Sequence, residues 1–311
     1  MLDVRVDHDP QRSLLQVLEL WEHERLRLGV KTTGRFRYLE ALPDPASSSS
    51  PGGPEPTIRG AAGGLKGTLV LIHGFPLGAR MWEPQLELAG QGWRIVAPQL
   101  RGFDGPPAGR VATSVDEYAG DVIDLLDALD IEQAVIGGLS MGGYITFAMF
   151  RHAPRYFRGM ILADTRAEAD TAEGVEGRKR MIQLVRDEGP ARVAEEMIPK
   201  LLGPSTRANR PEVVGAVRDL ILSNSTDTIA GAIMALMTRL DSTPLLSQVH
   251  CPTLVLVGDE DALTPRPCSE AIQRGIAGAE LAVVPQAGHM SNMEQPAAFN
   301  LALARFLEHR V

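Results

Sequence analysis

Short apolar runs recur along this chain with helical patterns between them, and that alternation carries most of the fold. Thr68–His73 (TLVLIH), Trp93–Pro98, Gln133–Leu139, Gly159–Asp164, Thr253–Gly258 and Leu281–Pro285 are rich in Val, Ile and Leu. Runs with little polar alternation predict strands buried on both faces, as in a parallel sheet. Amphipathic helices lie between several of them. The clearest begins at Ser114, where Ser114-x-x-Glu117 has capping-box spacing and Tyr118, Val122, Leu125, Leu126 and Leu129 supply an apolar stripe. The pattern predicts an α/β fold: a mostly parallel central sheet with helices on both faces. Ahead of it, Gly29–Leu42 alternates apolar and polar residues around Thr33-Gly34, which predicts a hairpin. Two strands bury too little to stand alone, so the hairpin should join the same sheet.

Three segments break the alternation. In residues 1–28, Leu14, Leu18 and Trp21 fall at helical spacing with Glu19, Glu22 and Arg25 between them, predicting an N-terminal helical extension. Residues 1–30 carry six acids against four arginines, so this helix is expected on the body or on a second subunit of a homodimer, not on a membrane. From Pro43 to Gly64, fourteen of 22 residues are Pro, Gly or Ser, and residues 43–66 are expected to form a flexible loop. Residues 165–250 read as entirely helical, with stripes such as Met181, Leu184, Val185 and Ile229, Ile233, Leu236, Met237. They predict a helical cap inserted between core segments 29–164 and 251–311. The cap has no Phe, Tyr or Trp, and its methionines are expected to fill its core.

Composition narrows the function. At 311 residues with 44% hydrophobic and 23% charged, the chain can build a sizeable core. A net charge of −8 opposes polyanions, so nucleic acid is not an expected partner. Cys251 and Cys268 lack metal or redox spacing and are expected to be reduced thiols, with no metal and no cofactor bound. The opening MLDVRVDHDP has no apolar signal core, and no run reaches the ~18 apolar residues of a membrane span, so the expected location is cytoplasmic.

The chemistry-bearing residues sit where strands end. Gly138-Leu139-Ser140-Met141-Gly142-Gly143 follows a strand and precedes a helical run, the context in which G-x-S-x-G pushes a serine out on a sharp turn. A serine hydroxyl needs a base. Of seven histidines, His289 alone stands in a loop directly after the last predicted strand, Gln286-Ala-Gly-His289. The orienting acid is expected after the preceding strand, where Asp261 is favoured. Asp259, at the strand end, should make local turn bonds and is the alternative, ahead of Asp164. Phe75, after His73-Gly74, and Met141 are placed to supply backbone N–H groups to an oxyanion. His73 is expected to brace loops, and Arg166 to serve as an ion-pair partner more than a substrate contact.

These residues resemble a known family. HGFP at 73–76, GLSMGG at 138–143, GDEDALTP at 258–265 and GHMSNMEQP at 288–296 are similar to the motifs of α/β-hydrolase fold enzymes, over about residues 29–311. Asp164 to Asp170 resembles 3-oxoadipate enol-lactonases and their carboxylesterase relatives. The resemblance implies the α/β-hydrolase fold, makes Asp261 the acid as fourth residue of G-x-x-D-x-x-T-P, and implies a serine hydrolase of small esters or lactones. Cofactor-free perhydrolysis or C–C bond cleavage by the same triad is the alternative, and a noncatalytic ligand receptor is a third. One stretch departs from the family: Gln99-Leu100-Arg101-Gly102-Phe103-Asp104 stands where relatives read D-x-R-G-x-G, which bears on loop bracing.

Overall fold

Eight strands form one sheet in the computed structural model, which describes residues 29–43, 65–105 and 109–311. The helix expected within residues 1–28 and nearly all of the 43–66 loop lie outside these. The strands are β1 (Gly29–Thr33), β2 (Phe36–Ala41), β3 (Gly67–Ile72), β4 (Trp93–Gln99), β5 (Ala134–Leu139), β6 (Phe157–Ala163), β7 (Thr253–Gly258) and β8 (Glu280–Val284), in spatial order β1-β2-β4-β3-β5-β6-β7-β8. The six from β3 to β8 are parallel. The β1–β2 hairpin turns at Gly34, whose φ of 53° suits a residue without Cβ, and adds to β4 in antiparallel register, Leu39 opposite Ala97. Most of the apolar runs are buried because helices cover both faces: Leu69, Val70 and Ile72 of β3 and Val135 and Ile136 of β5 are fully enclosed, whereas β8, at the edge of the sheet, buries only Val284 and departs from the expectation. At about 25 cal/mol per Å² of apolar surface, such strands supply the main driving force for collapse.

Local signals set the helix ends. In α1 (Val115–Ala128) the Ser114 hydroxyl accepts the Glu117 N–H at 3.1 Å, while the Glu117 carboxylate reaches back to the N–H of Thr113 at 2.7 Å, one residue short of the expected reciprocal partner. Helix α2 (Met141–His152) follows β5 directly. Between β6 and β7 come α3 (Ala172–Leu201), α4 (Pro204–Asn209), α5 (Pro211–Leu222) and α6 (Thr226–Met237). Helix α3 breaks at Gly189, φ 78°, next to Pro190. Of the stripe in its first half only Val185 is fully buried. The chain closes with α7 (Arg266–Gly275), α8 (Ser291–Glu294) and α9 (Pro296–His309). Among the described residues no helix is long and apolar enough to cross a membrane.

Candidate active site

The chain turns sharply at the end of β5. Ser140 adopts φ 55° and ψ −113°, an uncommon conformation for a residue with a side chain, and its carbonyl is already capped by the N–H of Gly143 and the hydroxyl of Thr165, both at 2.9 Å. The glycines two positions either side permit this. A Cβ on Gly142 would overlap the carbonyl of Ile72, and one on Gly138 would overlap the backbone of Gly142. Backbone contact therefore aims the Ser140 side chain away from β5, at the positive end of α2.

Two loops meet that side chain. The Ser140 hydroxyl donates to His289 Nε2 at 2.8 Å, and His289 Nδ1–H donates to Asp261 Oδ2 at 2.8 Å. Asp261 accepts further bonds from the N–H of Leu263 (2.8 Å), the N–H of Thr264 (3.0 Å) and the Thr264 hydroxyl (2.7 Å). Burial alone would raise the Asp261 carboxyl, but the His289 charge and these donors outweigh it and hold the group at about 2. An ionised carboxylate can only accept, which puts the imidazole proton on Nδ1 and leaves Nε2 free to take one from Ser140. Ser140 is partly exposed, whereas His289 and Asp261 are buried.

The histidine loop is held on every side. Leu201 O accepts the N–H groups of His289 (3.0 Å) and Met290 (3.2 Å), Asn292 donates to Met81 O (2.8 Å), and the buried Glu294 carboxylate accepts the N–H groups of Met290 (3.0 Å) and Gly203 (2.8 Å). The Ser291 hydroxyl donates to Asp164. Asp164 also accepts the Gly258 N–H at 2.8 Å and is fully enclosed; burial first, then the Asp261 charge, raise its carboxyl well above the usual range. Among the described residues the Asp259 carboxylate accepts the Ala287 N–H, at 3.3 Å, from the loop after β8 and not from its own turn as expected, because that loop runs beside the end of β7.

Phe75 lies in the turn after β3. Leu77 N–H donates to Gly74 O at 3.1 Å, and so does His73 Nδ1–H at 3.1 Å, while His73 Nε2 accepts the Leu100 N–H at 3.2 Å. Gly74 C=O and Phe75 N–H belong to one planar peptide, so fixing the carbonyl fixes the direction of the N–H. Among the described residues neither Phe75 N–H nor Met141 N–H donates a hydrogen bond. One expectation needs correction: Arg166 forms no ion pair among the described residues and donates instead to the Leu263 carbonyl, because the strand-end carboxylates near it face inward to backbone partners. Sequence reasoning assigned no role to Thr264, Ser291 or Glu294. Thr264, three residues after Asp261, stood in a spacing typical of local hydroxyl–carboxylate bonds. Nothing local marked the long-range partners of Ser291 and Glu294.

Comparison with known proteins agrees with this architecture. The model of the family described as "Alpha/beta hydrolase family" matches residues 69–302. The chain is 29% identical over 235 residues to 3-oxoadipate enol-lactonase 2 of Acinetobacter baylyi, spanning 76% of this chain and 86% of that protein. An esterase structure from Thermogutta terrifontis superposes with a TM-score of 0.77 at 35% identity, covering 92% of this chain and 98% of that one. The enol-lactonase of Burkholderia xenovorans shares the fold, with a TM-score of 0.76 at 22% identity over 90% of this chain and all of the other. With the family model spanning most of its length, and with this sheet order and this strand–turn–helix about Ser140, the chain belongs to the alpha/beta hydrolase family.

Proposed function

We propose that this protein hydrolyses small carboxylic esters or lactones through an acyl-enzyme on Ser140. The observation that carries the reading is the continuous hydrogen-bonded line Ser140–His289–Asp261, two contacts of 2.8 Å. Ser140 Oγ attacks the substrate carbonyl carbon as its proton moves to His289 Nε2, and the Asp261 charge stabilises the imidazolium. The oxyanion lies on the unspent N–H groups of Phe75 and Met141. The imidazolium then protonates the leaving alkoxide, and water, activated by the same nitrogen, cleaves the acyl-enzyme. The esterase and enol-lactonase relatives support the substrate class, and residues 165–250 act as a cap over the site.

The test is direct. Wild type should hydrolyse p-nitrophenyl esters of short acyl chains and take up a fluorophosphonate at Ser140, and Ser140→Ala should lose both, with kcat down at least ~10³-fold. Equal hydrolysis by the variant would end the proposal.

A further inference from the structure

The stretch Ser223-Asn224-Ser225, between two apolar helices of the insertion, is polar, yet its middle residue is buried. Ser225 caps α6, its hydroxyl accepting the Thr228 N–H at 3.2 Å. Asn224 is different. It follows α5, is 3% exposed, and uses its whole amide. Nδ2 donates to Leu220 O (2.8 Å), Pro76 O (2.8 Å) and Leu77 O (3.2 Å), and Oδ1 accepts the Asp104 N–H (2.7 Å). Two hydrogens serve three carbonyls, so Pro76 and Leu77 share one. The contact continues on both sides: Gly105 N–H donates to Ser223 O at 3.0 Å and the Thr228 hydroxyl to Gly102 O at 2.8 Å.

These partners lie on two loops. Pro76 and Leu77 belong to the turn that presents the Phe75 N–H, and residues 102–105 overlap the end of the stretch 99–104 that departs from the family's usual D-x-R-G-x-G. The 74–77 turn is closed on its inner side by Leu77 N–H to Gly74 O and by His73. Pro76 has no N–H to contribute. On the outer side, Asn224 holds the two consecutive carbonyls that follow Phe75. Leaving such buried groups unpaired is costly, and a turn that rotates to satisfy them elsewhere would rotate the Gly74–Phe75 peptide with it.

We infer that Asn224 is a positioning residue: from the insertion, it sets the direction of the Phe75 N–H toward the oxyanion. The inference rests on the proposed ester chemistry and adds that the insertion is part of the catalytic frame as well as a cover. Removing Asn224 therefore weakens binding of the tetrahedral transition state while leaving the His289–Asp261 pair untouched. The loss falls on kcat, since the ground-state carbonyl gains little from a donor aimed at the oxyanion.

The experiment compares wild type, Asn224→Ala and Thr228→Val, all full length. It reads kcat and KM for a p-nitrophenyl ester, the inhibition constant of a methyl trifluoromethyl ketone that forms a tetrahedral adduct on Ser140, and the pH profile of kcat. Expected for Asn224→Ala is a fall in kcat of about 10²-fold, the scale of losing one oxyanion donor. KM should stay within about threefold, ketone affinity should fall in parallel with kcat, and the pH midpoint should not move. Thr228→Val, which in a near-isosteric change severs the bond to Gly102 and the hydroxyl contact with Ser225, should show the same pattern at a few-fold and serves if Asn224→Ala does not fold. Unchanged kcat and ketone affinity in folded variants overturn the inference, as does a shifted pH midpoint, which would place the damage at the base. If wild type neither turns over the ester nor binds the ketone, the ester reading itself has failed.

Discussion

Acid should unlock this protein at His73 across a defined pH window. Both ring nitrogens are committed in the neutral form, Nδ1–H to Gly74 O and Nε2 to the Leu100 N–H, with the Phe103 ring edge-on at 4.8 Å. A second proton would land on Nε2, opposite another donor. Burial, opposed only weakly by the Gly74 bond, pulls the group down from 6.5 to about 4. Between those values the unfolded chain binds a proton that the folded one refuses, so stability rises with pH across the window. The contribution is fully present above 6.5 and lost as pH falls toward 4. The difference of 2.5 units, at 1.36 kcal/mol each, is worth about 3 kcal/mol. Urea unfolding at half-unit steps from pH 4 to 7.5 on wild type and His73→Gln isolates it, because all other titrations cancel in the difference. Glutamine keeps an acceptor for Leu100 but cannot titrate, so its curve should be flatter by about one proton. Parallel curves, or a His73 ring that titrates near 6.5 in the folded protein, would refute the reasoning.

Other substitutions probe the site and its frame. Asp261→Asn should lower kcat by about 10⁴-fold, since the amide can present a donor to Nδ1 and cannot stabilise the imidazolium, while Asp259→Asn should stay within a few-fold; steady-state kinetics decide between the two carboxylates. Asp261, held at about 2, also supports the fold above pH 3.8 and ceases to as pH falls toward 2, so Asp261→Asn should flatten the acid limb of a thermal-melt series. Gly142→Ala puts a Cβ into the Ile72 carbonyl and should abolish soluble expression or lower Tm sharply. Gly34→Ala meets no atom within 4 Å but keeps φ at 53°, so its cost should be only about 1 kcal/mol by chemical unfolding.

Much of this was legible in the residues because the governing signals are local. Each apolar run became a strand within two residues of its expected start, since short runs rich in Val, Ile and Leu leave few alternatives. Strand β6 begins earlier than its apolar run, at Phe157, because the short turn Pro154–Tyr156 delivers the chain directly into the sheet. Ser140, Asp261 and His289 stood out through position, each just past a strand of one parallel sheet, and parallel strands bring such ends to one edge. What the sequence concealed is long-range. Ser291 meets Asp164 across 127 positions and Asn224 meets Pro76 across 148, and no periodicity encodes such pairs. Nor could spacing foretell that Arg166 would spend its guanidinium on a backbone carbonyl, because its partner depends on which way the acid loop turns.

Asp164 shows why the acid and the brace are different residues. Both Asp164 and Asp261 are enclosed at the strand ends, close enough that each charge opposes the other, and Glu294 adds a third carboxyl nearby. Two full charges there would be expensive, so the environments push the groups apart. Asp261 receives two backbone N–H groups, a threonine hydroxyl and the imidazole; Asp164 receives one backbone N–H and one serine hydroxyl, with no cation. Burial and the neighbouring charge therefore raise the Asp164 carboxyl while the donors around Asp261 lower that one. Asp164 ties the end of β6 to both the acid loop, through Gly258, and the histidine loop, through Ser291, while Thr165 beside it holds the Ser140 carbonyl.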